Sequence, residues 1–183
     1  MKKRSSNFIF AAIGIAVLII LDQISKYLVV FNIKERGSVP FIKGILNFTY
    51  ITNDGAAFGM LSNARWIFLL GTGLITLFGI YYIAAQRLYH WTGRLCAVLI
   101  VAGGIGNMID RFSIKYVIDF IDFNPLLEKL GLSFAIFNLA DSFVCIGAVF
   151  FAVYALFIHD KHAPEDESEF LNPFKKKPKN EEA

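Results

Sequence analysis

The 183-residue chain is 56% hydrophobic and 18% charged. With a mean hydropathy of +0.54, it is too apolar for an ordinary soluble domain of its size. Its formal charge of +3 is small, and the charges sit in tails and loops rather than along a periodic helix face, which excludes a nucleic-acid footprint. Cys96 and Cys145 fall in apolar stretches without CxxC or Cys/His spacing and are expected to be small buried hydrophobes. His90, His159 and His162 flank segment ends, so neither a metal site nor a cofactor is expected.

Four apolar stretches, Phe8–Phe31, Trp66–Ala85, Leu95–Asp110 with its flank, and Phe134–Ile158, each approach the ~20 residues a spanning helix needs. The expected fold is a mainly α membrane protein with four transmembrane helices. The basic Met1-Lys2-Lys3-Arg4 start resembles a signal peptide, but the apolar run is too long and lacks a small-residue cleavage site, so a retained helix is expected. Between spans one and two, a β-rich loop at about 36–62 contains Leu46-Asn47-Phe48-Thr49-Tyr50-Ile51-Thr52 and then the turn signal Asn53-Asp54-Gly55. A small outer-face sheet, or cradle, is expected there, with Ala56-Ala57-Phe58 as part of the cradle or a lid. Past span three, Val117–Phe123 is an apolar run carrying Asp119 and Asp122, of which Asp122 also fits a solvated surface acid. Pro125–Gly131 then suits a short interfacial helix.

Residues 1–160 are expected to form the membrane domain and 161–183 a charged, disordered cytoplasmic tail, whose Lys175–Lys179 cluster could touch anionic lipid. Lys2, Lys3, Arg4, Arg87, Arg94, Lys161, Lys175, Lys176, Lys177 and Lys179 put ten of the 18 basic residues on one side, consistent with both termini being cytoplasmic. Lys26 is counted among the basic residues at the outer span ends. Trp66 and Trp91 bracket span two as interfacial anchors.

Charges inside a span cost at least ~2.5–3.5 kcal/mol each and therefore point to function. At ~1.5 Å per residue, Asp22 lies about 21 Å from the inner start of span one, and Asp110 about 22 Å from that of span three. Asp141, about 10 Å below an outer start at Phe134, lies roughly 20 Å from the inside of a ~30 Å core. Three helices thus bring carboxylates to one level in the outer third. Each brings polar company: Lys26 at i+4 from Asp22, Asn107 and Arg111 flanking Asp110 at spacings that let the three satisfy one another, and Asn138 at i−3 from Asp141. Asp22–Lys26 also fits a local ion pair, and Asp110–Arg111 an anchor at a helix end. Gly103-Gly104-Ile105-Gly106 lacks the preceding strand and third glycine of a dinucleotide fingerprint and suits close helix packing.

Intramembrane carboxylates also build proton- or ion-coupled transporters, but a relay needs acids at several depths and the inner halves of the spans carry none. There is no internal repeat of the kind inverted-repeat transporters show. A Ser/Lys peptidase using Ser142, or Ser25 with Lys26, is a further alternative. A structural scaffold would leave the polar convergence unexplained.

Taken in order, Leu21-Asp22-Gln23-x-x-Lys26, Asn53-x-Gly55-Ala56-Ala57-Phe58, Gly104-x-Gly106-Asn107-x-x-Asp110-Arg111, Val117-x-Asp119-Phe120 and Phe137-Asn138-x-Ala140-Asp141-Ser142 closely resemble the lipoprotein signal peptidases, or signal peptidase II. The resemblance implies a bacterial inner-membrane aspartic endopeptidase with its active site toward the outer face. Such an enzyme cleaves prolipoproteins on the amino side of a cysteine that carries diacylglycerol. It implies Asp119 and Asp141 as the catalytic pair and Asp22, Lys26, Asn53, Gly55, Asn107, Asp110, Arg111 and Asn138 as supporting or substrate-binding residues. It also implies membrane lipid as a partner, inhibition by globomycin-like peptides, and action as a monomer. Two acids sharing a site split their proton affinities, which suits one to deprotonate water and the other to protonate the scissile amide; the residues leave open which starts protonated.

Overall fold

A computed structural model of the chain describes residues 2–55, 65–85, 87–88 and 90–159, without the side chains of residues 2–6 and 65. The proposed lid residues Ala56, Ala57 and Phe58, as well as His162 and the lysine-rich tail, lie outside these. Four helices are long and apolar enough to cross a membrane: α1 (Lys2–Asn32), α2 (Arg65–Ala84), α3 (Trp91–Ser113) and α5 (Leu139–Phe157). The apolar window of α3 is 61% buried within the protein, against 11–17% for the others, so α3 is the central post against which the other three pack.

Small residues make that position possible. Lipid is as apolar as a side chain, so helices associate in it by close approach rather than by escape from water. A Cβ on Gly103 would strike the carbonyl of Ala140 on α5. One on Gly104 would lie 2.6 Å from Thr76 Oγ1 on α2, and one on Gly106 would lie 2.7 Å from Asp22 Oδ2 on α1. The glycine run is the packing face that the sequence suggests. Away from the polar residues, Ala11, Ile83, Leu88, Ala97, Val98, Val101 and Tyr154 form a continuous apolar core.

One end of the bundle carries a three-stranded antiparallel sheet of β1 (Ser38–Ile42), β2 (Leu46–Asn53) and β3 (Val117–Asp122), in that order. Gly44, at φ +75, turns β1 into β2. The third strand is buried along nearly its whole length, so it lacks the alternation that marks a half-exposed strand and reads in the sequence as a plain apolar run. Ile118 and Phe120 on it pack with Val29 of α1 and with Ile33 just past its end, docking the sheet on the helices. The short helix expected over Pro125–Gly131 is a single turn, α4 (Asn124–Leu127), followed by a 3-10 turn at Glu128–Leu130. Lys129 Nζ, reaching Gly44 O at 2.8 Å, ties it to the β1–β2 turn.

Several expectations need correction. The fourth helix starts at Leu139, not Phe134, because Asn138 caps it: its side chain accepts the Asp141 N–H, while the Asp141 carboxylate accepts the Asn138 N–H. Asp141 therefore sits in the first turn of α5 rather than about 10 Å along a helix. The third helix starts at Trp91, ahead of Leu95. Lys26, counted among the basic residues at the outer span ends, is buried inside the bundle at 2% exposure, so it belongs to the polar cluster rather than to the charges that orient the chain. Asp122 is buried, accepting Thr49 Oγ1 at 2.9 Å and the main chain and side chain of Asn124, so it is no solvated acid. Cys96 is buried as expected, but Cys145 is exposed.

Candidate active site

The site is assembled on Lys26. Its ammonium meets Asp22 Oδ2 at 2.9 Å, Asp110 Oδ2 at 2.8 Å and Asn107 Oδ1 at 3.1 Å. An ammonium has three donors, and all three are used. One cation between two carboxylates leaves a net negative charge, which neutral donors share. Asp22 Oδ1 accepts from Ala140 N at 3.0 Å, one of the free N–H groups at the start of α5. Asp110 Oδ2 accepts from Ile118 N of β3 at 3.3 Å, and Gln23 Nε2 donates to Asp22 (3.1 Å), Asp110 (3.1 Å) and Gly106 O (3.2 Å). Asp22 thus anchors the helix that carries Asp141, and Asp110 anchors the strand that carries Asp119.

Orientation then passes outward through three asparagines. Since Lys26 and Asn138 both donate to the Asn107 oxygen, the Asn107 amide nitrogen must face the other way, where it donates to Asp141 Oδ1 at 2.7 Å. Asn138 Nδ2 donates to Asp119 Oδ1 at 2.6 Å and its main-chain N–H to Asp141 Oδ2 at 3.1 Å, so one residue grips both carboxylates. Asn53 Nδ2, at the end of β2, holds Asp119 Oδ2 at 2.9 Å, and its own Oδ1 accepts Gly55 N at 3.0 Å in the Asn-Asp-Gly turn. All four dyad oxygens have a donor.

Asp119 is 2% exposed, and its carboxyl is pushed up to about 7. Burial is the main cause and the charge of Asp141 the second, while the Asn53 and Asn138 hydrogen bonds and the field of Lys26 oppose them.

Arg111 does not close the local set expected with Asp110 and Asn107. Asp110 turns inward to Lys26, and Arg111, one residue on, turns away: its guanidinium donates to the main-chain oxygens of Asn107 (3.5 Å) and Gly55 (3.3 Å) and lies 5.3 Å from the Phe68 ring centre. There it lines a cavity of about 440 Å³ with Asp119, Asp141, Asn53, Gly55, Phe68 and Phe134. The walls are largely apolar, and the polar groups converge on the two aspartates.

The sequence-derived residues therefore fall into two tiers. Asp119, Asp141, Asn53, Gly55 and Arg111 border the cavity, while Asp22, Lys26, Asp110, Asn107 and Asn138 lie beneath or between them. Gln23, which has no role in the sequence-derived set, sits at i−3 from Lys26 on the same polar face. Residues 134–137 and Cys145, which wall the cavity, are also outside that set. The serines do not build a Ser/Lys pair: Ser25 Oγ donates to Asp22 O and Ser142 Oγ to Asn138 O. Among the described residues of the four spans, the only carboxylates are Asp22, Asp110 and Asp141, all in this one cluster, which gives a transporter relay no second step. Among the described residues, no group of three or more His, Cys, Asp or Glu side chains could hold a metal ion.

Residues 14–157 match the family described as Signal peptidase (SPase) II. The lipoprotein signal peptidase of Clostridioides difficile is 42% identical over 147 residues, covering 80% of this chain and 95% of the relative. That of Streptococcus pyogenes serotype M2 is 39% identical over 153 residues, 84% of this chain and 93% of the relative. Two solved bacterial membrane enzymes share the fold: one, at 2.3 Å resolution, aligns with a TM-score of 0.72 at 30% identity over 92% of this chain and 93% of its own. The other, at 1.9 Å, aligns with a TM-score of 0.71 at 32% identity over 81% and 94%.

Proposed function

The chain belongs to the signal peptidase II family and is a membrane lipoprotein signal peptidase, and we propose that it is an aspartic endopeptidase in which Asp119 and Asp141 do the chemistry. The substrate is a diacylglyceryl-modified prolipoprotein, cut on the amino side of the lipidated cysteine. One observation carries this reading: two carboxylates, delivered by a strand and a helix, have every oxygen held by an amide and face one apolar cavity.

The proton starts on Asp119, whose burial beside a second negative charge favours its neutral form up to about pH 7. Asp141 is the ionised partner, with the Asn138 N–H and the Asn107 amide on its oxygens at the positive end of α5. Water attacks the scissile carbonyl and gives a proton to Asp141, while Asp119 protonates the carbonyl oxygen, leaving a neutral diol. Asp141 then protonates the leaving nitrogen, Asp119 recovers its proton from the diol, and the C–N bond breaks. The dyad keeps its single negative charge throughout, and no charge builds up on the substrate in the water-poor cavity. Arg111 and Asn53 border the cavity where substrate main-chain oxygens would lie, and are assigned to orienting them.

In the same reading Asp22, Lys26, Asn107, Asp110 and Asn138 are positioning residues, and Gly55 shapes the rim. The site faces the outer surface with both termini cytoplasmic. The protein acts as a monomer, membrane lipid bathes the cavity mouth, and cyclic lipopeptides of the globomycin kind compete for the cavity. The test is incubation of the purified protein with a lipid-modified prolipoprotein and with its unmodified form. Release of a signal peptide from the modified form alone is expected; cleavage of both or of neither would overturn the reading.

A further inference from the structure

Between the 3-10 turn and α5, residues 134–137 pass the site without regular secondary structure, pinned at both ends. At one end Phe137 gives its N–H to Ile121 O (3.2 Å) and accepts from Ile121 N (2.7 Å) and Phe120 N (3.0 Å), an antiparallel bridge to β3. At the other, the side chain of Asn124 clamps Phe134 through both main-chain groups, accepting its N–H at 2.9 Å and donating to its oxygen at 3.1 Å. Asn124 is itself fixed by Asp122, which accepts its main-chain N–H at 3.0 Å and its amide at 2.9 Å. Asp122, the acid of the Val117–Phe123 run that the chemistry does not use, therefore fixes the Phe134 end of this segment through Asn124.

The two residues between the pins are different. The main-chain N–H and C=O groups of Ala135 and Ile136 have no partner among the described residues. In an antiparallel ladder, a residue that gives both groups to one neighbour leaves those of the next residue turned to the opposite side. Phe137 gives both to β3, so those of Ile136 turn away from it. Both residues are half-buried. They line the 440 Å³ cavity with Asp119 and Asp141, and also a crevice of about 230 Å³ that approaches Asp119 between them and residues 51–54. Half-buried main-chain groups beside an apolar cavity are costly unless something pairs with them.

We propose that Ala135–Ile136 is a docking edge on which the substrate, extended around its scissile bond, adds as a strand by exchanging main-chain hydrogen bonds with Ile136. The occupant follows from the chemistry of both sides. A peptide entering a water-poor cavity must satisfy its own N–H and C=O groups, and an unpaired strand edge offers complementary groups at the right spacing. Recognition through the main chain tolerates variation in the substrate's side chains while fixing register, which sets one carbonyl against the dyad. This inference rests on the peptidase reading above.

The test uses the whole enzyme and lipid-modified prolipoprotein peptides that are N-methylated, one at a time, at the second to fifth residues before the lipidated cysteine. One residue of an added strand exchanges both bonds with Ile136. Methylation at one position is therefore expected to raise KM about tenfold, the loss of one hydrogen bond, with kcat held within about twofold and the flanking positions flat. An ester in place of that one amide should give the same loss, separating the missing N–H from methyl bulk. Ile136→Pro, which removes the donor on the enzyme side, should also raise KM about tenfold; should that variant fail to fold, the two substrate scans on the natural chain decide. Efficient cleavage with a flat profile, or loss on methylation without loss on ester substitution, would overturn strand docking while leaving the peptidase reading intact. Failure to cleave the unmodified lipidated peptide, or cleavage of it by Asp119→Asn, would instead overturn the peptidase reading.

Discussion

The same three helices, α1, α3 and α5, meet twice, by different physics. At the end nearest the sheet they meet through Asp22, Gln23, Lys26, Asn107, Asp110 and Asn138, where every contact is a directed hydrogen bond or ion pair. Farther along they meet, with α2, through Ala11, Ala97, Val98, Val101 and the ring of Tyr154, whose packing makes no directional demand beyond shape; only the Tyr154 hydroxyl, paired with His159 Nδ1 at 3.0 Å, is directed. Because the surrounding lipid removes the hydrophobic drive between helices, the apolar end sets spacing, whereas the polar end sets angles. Two carboxylates that must share one water and one peptide bond need angles. Changes at the polar end should therefore alter chemistry or the whole fold, and changes at the apolar end should alter stability in small steps.

The most severe break in that comparison is removal of the dyad. Asp119→Asn and Asp141→Asn should each lower cleavage by at least about 10²–10⁴-fold while the protein still inserts and folds, as read by a processing assay beside a thermal melt in detergent. Lys26→Met comes next, because it leaves Asp22 and Asp110 buried together without a cation. A loss of about 3–5 kcal/mol is expected, visible as a collapse of thermal stability and yield. Adding Asp22→Asn and Asp110→Asn should restore part of it; no recovery would mean that the ion pairs are not what holds this end.

The pH profile sharpens the division of labour within the dyad. Asp119 is raised to about 7 and is assigned the starting proton, so it is competent below that value and loses competence as pH climbs through it. The rate kcat/KM should fall above pH 7 by about tenfold per unit. A rate that instead rises through pH 7 would hand the proton to Asp141.

How much of this could be read from the residues follows the same boundary. Asp22, Asp110 and Asp141 are legible by depth along the apolar runs, because a charge in such a run stands out against its surroundings, and Lys26 by its i+4 spacing from Asp22. Asp119 could not be reached that way: it lies on a strand buried on both faces, which has neither helical depth nor an alternating pattern, and only the resemblance of Val117-x-Asp119-Phe120 singled it out. Asn138 and Asp141 were recognised as a polar pair but not as a helix start, although Asn-x-x-Asp is capping-box spacing and would have placed the first turn of α5 correctly. The roles of Gln23 and Asn124 depend on main-chain groups that folding brings to them, Gly106 O and Phe134 N and O, for which a sequence carries no local mark.

The smallest effect tests the apolar end by itself. Val101 of α3 is fully buried, and a Cβ added to Gly79 of α2 would lie 2.6 Å from its Cγ2, so the two residues are matched in volume. Gly79→Ala alone overpacks this contact, and the usual cost of about 1–3 kcal/mol should exceed the propensity gain of about 1 kcal/mol from replacing glycine in a helix. Val101→Ala alone removes packing atoms without the added penalty of exposing apolar surface to water, since the alternative neighbour is lipid, and should cost about 1 kcal/mol. Together the new methyl enters the space the old ones left, so the double variant should recover about 1–2 kcal/mol of the summed loss, in a double-mutant cycle read by unfolding in detergent. Cleavage per folded molecule should stay at the level of the natural chain in all three variants, since neither residue touches the polar cluster. Strictly additive losses would show that α2 and α3 are not in register through this pair, and a fall in cleavage at constant stability would show that the apolar end sets angles as well as spacing.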